Sequence, residues 1–247
     1  MAKIITVAAI KGGTGKTATA GALTQAAAAD GKKVLAIDLD PQSNLSIWMN
    51  ADFTGPGSYE LITGQAAPED AIQETGGGID LISGSANLIA VNRTEANSAR
   101  RLERAIAPLH SYYDLIMIDT APAMGELQNN ALFASNGLLI PLESDINSLQ
   151  GLYQITDIAQ HTQQANPALQ VLGVILTKYD PRPKINRFLR DTIKDKGAAA
   201  GAPLLMEIRQ GVAIREAIAM RENLFEYAPN SKPAQDYKAL YKLIMEA

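Results

Sequence analysis

Short, β-rich apolar runs alternate with helical stretches along this chain. The runs Ile4–Ile10, Val34–Asp38, Ile79–Ser83, Leu115–Asp119, Gly137–Leu142 and Val171–Thr177 read as strands. Most lack the apolar–polar alternation of a sheet wetted on one side, as expected of strands buried on both faces of a parallel sheet. Helices are expected over Lys16–Ala29, Ser98–His110, Glu126–Ala134, Leu149–Ala165 and Asn186–Lys196. Asp30-Gly31 closes the first of these, and Gly55-Pro56-Gly57 and Gly76-Gly77-Gly78 mark turns. Two further helical stretches, Ile214–Met220 and Ala234–Met245, are expected to pack on the sheet edge. Strand–helix alternation with right-handed crossovers predicts an α/β fold, a doubly wound, mostly parallel sheet flanked by helices. No internal repeat, low-complexity tract or linker interrupts the pattern, so residues 1–247 are expected to form a single domain.

Composition narrows the chemistry. A chain of 247 residues buries roughly 70–75% of its unfolded surface and needs no staple to hold a core. Cysteine is absent, which removes disulfides, thiolate catalysis, iron–sulfur clusters and Cys-ligated zinc. His110 and His161 have no ligand-like spacing and receive no role. No apolar stretch is long enough for a transmembrane helix, and the opening residues run into a glycine-rich loop rather than a cleavage site. A cytoplasmic location is therefore expected. Charge is uneven: residues 1–177 carry 9 Lys and Arg against 17 Asp and Glu, residues 178–247 carry 13 against 9. That asymmetry hints at a polyanion-facing surface in the last third.

The clearest chemical signal lies between the first strand and the first helix, in Lys11-Gly12-Gly13-Thr14-Gly15-Lys16-Thr17. Strand, loop and helix in that order are the context a phosphate-binding P-loop requires. Gly12, Gly13 and Gly15 let backbone N–H groups turn inward without Cβ clashes, at the positive end of a helix. Lys16 is placed to reach the β- and γ-phosphates of a nucleoside triphosphate, and the Thr17 hydroxyl to sit on Mg²⁺. The loop departs from the ordinary pattern in carrying Ile10 where glycine is usual.

Two acidic sites fit around the loop. Val34–Asp38 runs into Asp38-Leu39-Asp40-Pro41-Gln42, and Leu115–Asp119 is an apolar strand ending in aspartate, as in a Walker B motif. The carboxyl ends of parallel strands share the edge where ligands bind. Asp119 suits the Mg²⁺ shell through water, and either Asp38 or Asp40 suits the attacking water.

Taken together, KGGTGKT, DLDPQ (Asp38–Gln42) and DTAP (Asp119–Pro122) resemble the ParA/MinD family of deviant Walker A ATPases. The resemblance continues through Leu138–Leu152, Val171–Arg182 and Glu226–Tyr237, the last two being closer to ParA than to MinD. It implies a P-loop NTPase that binds ATP and Mg²⁺ with Lys11, Gly12, Gly13, Thr14, Gly15, Lys16, Thr17 and Ala18. It further implies that Lys11 reaches the partner's phosphates across a nucleotide-sandwich homodimer, a trans charge clamp comparable to an arginine finger. Asp40 would orient the hydrolytic water, while Asp38 would lie near the metal and the first switch. The family's cycle implies slow ATP hydrolysis, non-specific DNA binding, nucleoid association and release by a ParB-type DNA-binding adaptor, in plasmid, chromosome or other cargo partition. Adenine contacts are expected near Thr177–Asp180 and Arg209–Gln210.

For DNA, the basic candidates are Arg187, Arg190, Lys194, Arg215 and Lys232, the first three at i, i+3 and i+7 on one helix face. Only three residues precede the first apolar run, so no N-terminal helix-turn-helix and no operator recognition are expected. A MinD-like membrane-associated positioning ATPase would need a basic amphipathic helix at the C-terminus. Here Leu240, Leu243 and Ile244 are expected to pack on the domain instead, and no membrane partner is expected. A small-molecule P-loop kinase or ligase is the remaining alternative, one that would turn over only with an added acceptor.

Overall fold

The computed structural model describes residues 2–93, 98–122 and 125–246. Among them, eight strands form one sheet in the order β3-β4-β2-β5-β1-β6-β7-β8. In chain order these are β1 (Lys3–Val7), β2 (Val34–Leu39), β3 (Ile72–Thr75), β4 (Ile79–Ile82), β5 (Leu115–Thr120), β6 (Gly137–Leu142), β7 (Gln170–Tyr179) and β8 (Leu204–Arg209). Every neighbouring pair is parallel except β3–β4. The longer α-helices are α1 (Lys16–Ala29), α2 (Glu126–Ala134), α3 (Asn147–Ala165), α4 (Lys184–Ala199), α5 (Ala213–Met220) and α6 (Lys232–Glu246). The expected doubly wound, mostly parallel sheet flanked by helices is the fold observed.

Successive strand side chains point to opposite faces, and here both faces are covered. Ile5, Val7, Val34, Ala36 and Met117 share a core with Leu23 of α1 and Tyr237 and Leu240 of α6. Ile4, Leu35, Ile37, Ile116 and Ile118 pack on the other side with Leu102, Ile106 and Leu127. Burying each larger side chain among these contributes about 1.5–3 kcal/mol. Continuous apolar strands follow from that double burial.

Helix α1 is built of small residues because it is enclosed: Thr19 through Ala27 are all buried. It stops at Asp30, and Gly31 follows with φ +74°, the left-handed turn that closes many helices. Gly21 is required by a close approach. A Cβ there would stand 2.2 Å from the ring of Trp48. Trp48 is itself 1% exposed, and its Nε1 donates to the Glu222 carbonyl at 2.8 Å.

Several boundaries differ from the sequence expectation. The first strand ends at Val7 rather than Ile10: Ala8 N–H donates to the Leu139 carbonyl at 3.1 Å, and the chain then leaves the sheet for the loop. β7 continues past Thr177 to Tyr179. β3, with the sequence Ile-Gln-Glu-Thr, was not expected; it is an edge strand set by the hairpin through Gly77 and Gly78, at φ +76° and +75°. β8, also unexpected, forms the opposite edge. Over Ser98–His110 only Arg101–Ile106 is α-helical, with 3₁₀ turns on either side; Pro108 lacks the N–H an α-helix would use there. In α6, Leu240 and Ile244 are buried as expected, whereas Leu243 is 42% exposed and faces solvent. No helix among the described residues is long and apolar enough to cross a membrane.

The Gly21–Trp48 contact yields a direct test. Gly21→Ala should destabilise the protein by about 1–3 kcal/mol through overpacking, lowering the melting temperature by roughly 2–12 °C. Calorimetry reads the loss, and the emission of the single tryptophan should shift as its ring is displaced.

Candidate functional site

Strand order assembles the site. β5 lies between β2 and β1, with Asp119 paired to Asp38 on one side and to Val7 on the other. The loop that follows β1 and the two aspartates that end β2 and β5 therefore meet at one edge of the sheet. None of the three segments is close to another in sequence.

Within the loop, Gly13 and Gly15 adopt φ +77° and +87°, where an L side chain would be strained. Thr14 is fully buried and Lys16 is 6% exposed. None of the N–H groups from Gly12 to Thr17 finds an acceptor among the described residues. Unpaired donors at the start of a helix form a nest for an anion. Lys16 Nζ donates to the Lys11 carbonyl at 3.3 Å. Burial draws its ammonium below the ordinary lysine range, against the opposing pull of Asp119 and Asp40.

The acidic side of the site is dry. Asp38 is fully buried and accepts from Asp40 N–H at 3.0 Å, Ser46 N–H at 2.9 Å and Ser46 Oγ at 2.7 Å. Burial nevertheless pushes Asp38 up to about 6, with those hydrogen bonds pulling it down and Asp40 adding repulsion. Gly84 is needed beside it, since a Cβ there would come within 3.0 Å of the Asp38 carboxyl carbon. Asp40 is 6% exposed, and its Oδ1 accepts from Gln42 N–H at 2.9 Å.

Asp119 is fully buried too. Its Oδ1 accepts from Thr120 N–H at 3.0 Å, but its Oδ2 accepts no hydrogen bond among the described residues. Burial first, then Asp38, hold Asp119 well above the usual carboxylate range, with the nearby Thr17 hydroxyl and Lys16 opposing. A buried carboxyl oxygen without a partner costs free energy and asks for an occupant. The neighbouring hydroxyl and carboxyls are hard oxygen donors of the kind Mg²⁺ takes. No three His, Cys, Asp or Glu side chains among the described residues form a metal cluster by themselves, so a cation here would need water and phosphate oxygens to complete its shell.

Two carboxylates that the sequence reading did not single out hold lysines at this edge. Asp145 Oδ2 accepts from Lys11 Nζ at 2.7 Å and its Oδ1 from Ser148 N–H at 3.0 Å. The Asp145 hydrogen bond raises Lys11; burial works against Asp145, yet its bonds to Lys11 and Ser148 keep it below the usual range. Glu143 Oε1 accepts from Lys178 Nζ at 2.6 Å. Both acids follow β6, whose carboxyl end lies on the loop's edge. That position was the available signal.

Three of the residues expected near the adenine make bonds within the chain. Thr177 Oγ1 donates its one proton to the Thr14 carbonyl at 2.7 Å, with the Leu142 carbonyl 3.1 Å away, Asp180 pairs with Arg182 at 2.7 Å, and Arg209 pairs with Asp236 at 2.7 Å. Among the basic candidates, Arg190 is bound to Glu207 and Asp191, each at 2.6 Å. Arg187 donates to the Pro181 and Arg182 carbonyls at 2.6 and 3.0 Å while remaining exposed. Lys194, Arg215 and Lys232 are exposed.

The chain is similar over most of its length to known proteins. Residues 2–171 match a family model described as an AAA domain. The chain is 31% identical to the chromosome partitioning protein ParA of Caulobacter vibrioides, over 98% of this chain and 94% of that one. Among solved structures it is similar to a Cyanothece McdA–ATP complex (TM-score 0.88, 25% identity, covering 98% and 96% of the two chains). It is also similar to the septum site-determining protein MinD of Pyrococcus horikoshii complexed with Mg-ADP (TM-score 0.82, 26% identity, 99% and 96%). A third is a cobyrinic acid a,c-diamide synthase of Mycobacterium smegmatis with ADP and magnesium (TM-score 0.86, 26% identity, 100% and 95%).

The buried carboxyls predict a pH dependence. Asp38 binds its proton more tightly folded than unfolded, so its contribution favours folding below about pH 4 and is lost as pH rises through about 6. Relative to Asp38→Asn, the ligand-free protein should lose about 2 kcal/mol of stability between those pH values. Denaturant melts of both proteins at pH 4, 5, 6 and 7 check the sign.

Proposed function

Because the chain belongs to the ParA/MinD family of P-loop ATPases, we propose that it binds ATP with Mg²⁺, dimerises on ATP and hydrolyses it slowly to ADP and phosphate. The single observation that carries this reading is the meeting, at one sheet edge, of a buried lysine with backbone N–H groups and a carboxyl oxygen that have no partner among the described residues. The whole chain, residues 1–247, acts as one ATPase domain. Lys11 through Ala18 hold the phosphates. Lys16 lies among them, and its low exposure strengthens its attraction to β- and γ-oxygens. Thr17 would hold Mg²⁺, with Asp38 and Asp119 reaching it through water. Bound there, the ion supplies neutralising charge to the phosphate oxygens.

Asp40 orients a water molecule for attack on the γ-phosphorus, and the bond to the bridging oxygen breaks to release phosphate and ADP. Its Oδ1 is tied to Gln42 N–H, which fixes the carboxyl without burying it completely. Lys11 enters the partner protomer's site. Its pairing with Asp145 in the single chain, with side chains 42% and 30% exposed, is of the kind worth about 0–1 kcal/mol, so a partner's phosphates readily outcompete it.

In the cell the dimer binds DNA non-specifically and serves partition of a plasmid, chromosome or other cargo, with a ParB-type adaptor stimulating hydrolysis, in the nucleoid-associated cytoplasm. Exposed Arg187, Lys194, Arg215 and Lys232 are the best placed cations; Arg190 is already committed to two carboxylates. Leu240 and Ile244 are buried against the domain, which speaks against α6 as a membrane anchor.

Lys16→Ala should weaken ATP binding roughly a hundredfold or more, the loss of charge-assisted bonds to two phosphates; calorimetric titration measures it, and unchanged affinity removes the assignment. Asp40→Ala should retain ATP, lose most of its hydrolysis and accumulate as an ATP-dependent dimer in light scattering. The wild-type dimer should bind duplex DNA with a log–log salt slope steeper than about −3. Sedimentation with anionic liposomes and no DNA binding would instead assign the MinD-like role.

A further inference from the structure

We propose that Thr177 and Lys178, at the carboxyl end of β7, are positioning residues that aim the Thr14 and Gly15 N–H groups at the bound phosphates. The proposal rests on the reading of the Lys11–Thr17 loop as a phosphate site and adds to it the device that holds the nest in shape.

The geometry is a pair of hydrogen bonds to consecutive peptides. Lys178 Nζ donates to the Gly13 carbonyl at 2.7 Å, and Thr177 Oγ1 donates to the Thr14 carbonyl at 2.7 Å. A trans peptide is planar, so its C=O and N–H point in opposite directions. Drawing the Gly13 oxygen toward β7 turns the Thr14 N–H away from β7, and drawing the Thr14 oxygen does the same for the Gly15 N–H. Neither N–H finds an acceptor among the described residues. Two of the nest's donors are thus set by bonds on the back of the loop.

Regular strand geometry would not deliver both bonds. Neighbouring residues of a strand point to opposite faces, yet Thr177 and Lys178 both reach the loop. Lys178 makes this possible by adopting φ +52°, a conformation costly for an L-residue with a side chain. The pairing of β7 with β8 also shifts register between Leu176 and Tyr179. The ammonium, which has three protons to give, also donates to Glu143 Oε1 at 2.6 Å, while the one hydroxyl proton of Thr177 goes to the nearer Thr14 carbonyl rather than to the Leu142 carbonyl at 3.1 Å. Contact is close as well: a Cβ on Gly15 would stand 3.4 Å from Thr177 Cγ2. A plain surface ion pair would explain Lys178–Glu143 but not why its donor ends on a loop carbonyl.

The experiment uses the full-length protein labelled with ¹⁵N-threonine and ¹⁵N-glycine, titrated with Mg-ADP and Mg-ATP by calorimetry and followed by amide spectra. Lys178→Met keeps the aliphatic stem and removes the donor; it should weaken both nucleotides about tenfold, as expected for one charge-assisted bond, and shift the Thr14 amide of the ADP complex. Thr177→Val should shift the Gly15 amide instead. Lys178→Arg and Thr177→Ser, which restore a donor, should bind within about threefold of wild type. Unchanged affinity and loop amides in Lys178→Met and Thr177→Val would overturn the proposal. So would an equal loss of affinity in all four variants that tracks their melting temperatures, which would mark a structural role alone. If wild type itself binds neither nucleotide, the phosphate-site reading falls, and the proposal with it.

Discussion

Parallel pairing of β5 between β2 and β1 is the constraint on which the rest of the site depends. It brings the carboxyl ends of three strands to one edge, so that Asp38, Asp119 and the Lys11–Thr17 loop become neighbours despite their separation in sequence. The pairing survives only because both faces of the sheet are covered by helices, which is what the apolar residues of these strands provide. α1 contributes twice: its enclosed small-residue body seals one face, and its first turn supplies the free N–H groups of the nest.

Electrostatics at that edge are unbalanced. Asp38, Asp40 and Asp119 are each no more than 6% exposed, and Lys16 is the buried cation among them. The protein answers part of the imbalance with hydrogen bonds to Asp38, and burial raises the proton affinity of both Asp38 and Asp119. The remainder, a buried carboxyl oxygen that accepts no hydrogen bond among the described residues, is unmatched negative charge that a hard divalent cation fits. Triphosphate and metal arriving together would satisfy the nest, the lysine and the carboxyls at once. Two non-glycine residues at this edge, Ser43 and Lys178, have positive φ, and such residues persist only where surrounding contacts over-determine them.

The outer ring of carboxylates shows how a lysine-rich loop is kept in order before any ligand arrives. Glu143 and Asp145 follow β6 and engage Lys178 and Lys11 respectively. The two pairs differ in what lies behind them. Lys178 also binds the loop backbone, whereas Lys11 is tied to Asp145 through its side chain on the loop's exposed side. One lysine bonds to the loop's backbone, and the other is held at its exposed side by a carboxylate.

The amino-acid sequence by itself determined the α/β class, six of the strands, the long helices and the phosphate loop. Each depends on local signals: continuous apolar runs, glycines needed for positive φ, and the order strand–loop–helix. It also placed Asp38, Asp40 and Asp119 at strand ends. β3 and β8 were not legible, because edge strands owe their pairing to a hairpin and to a neighbouring strand rather than to their own composition. Leu243 was misplaced on α6 because the direction of a helix face is set by what it packs on. Only the tertiary structure decided that Thr177 and Arg209 are bound within the chain, that Arg190 is paired twice, and that Asp145 and Glu143 belong to the site. Hydrogen bonds and ion pairs across distant segments are fixed by strand order and side-chain geometry, and neither is written in local sequence.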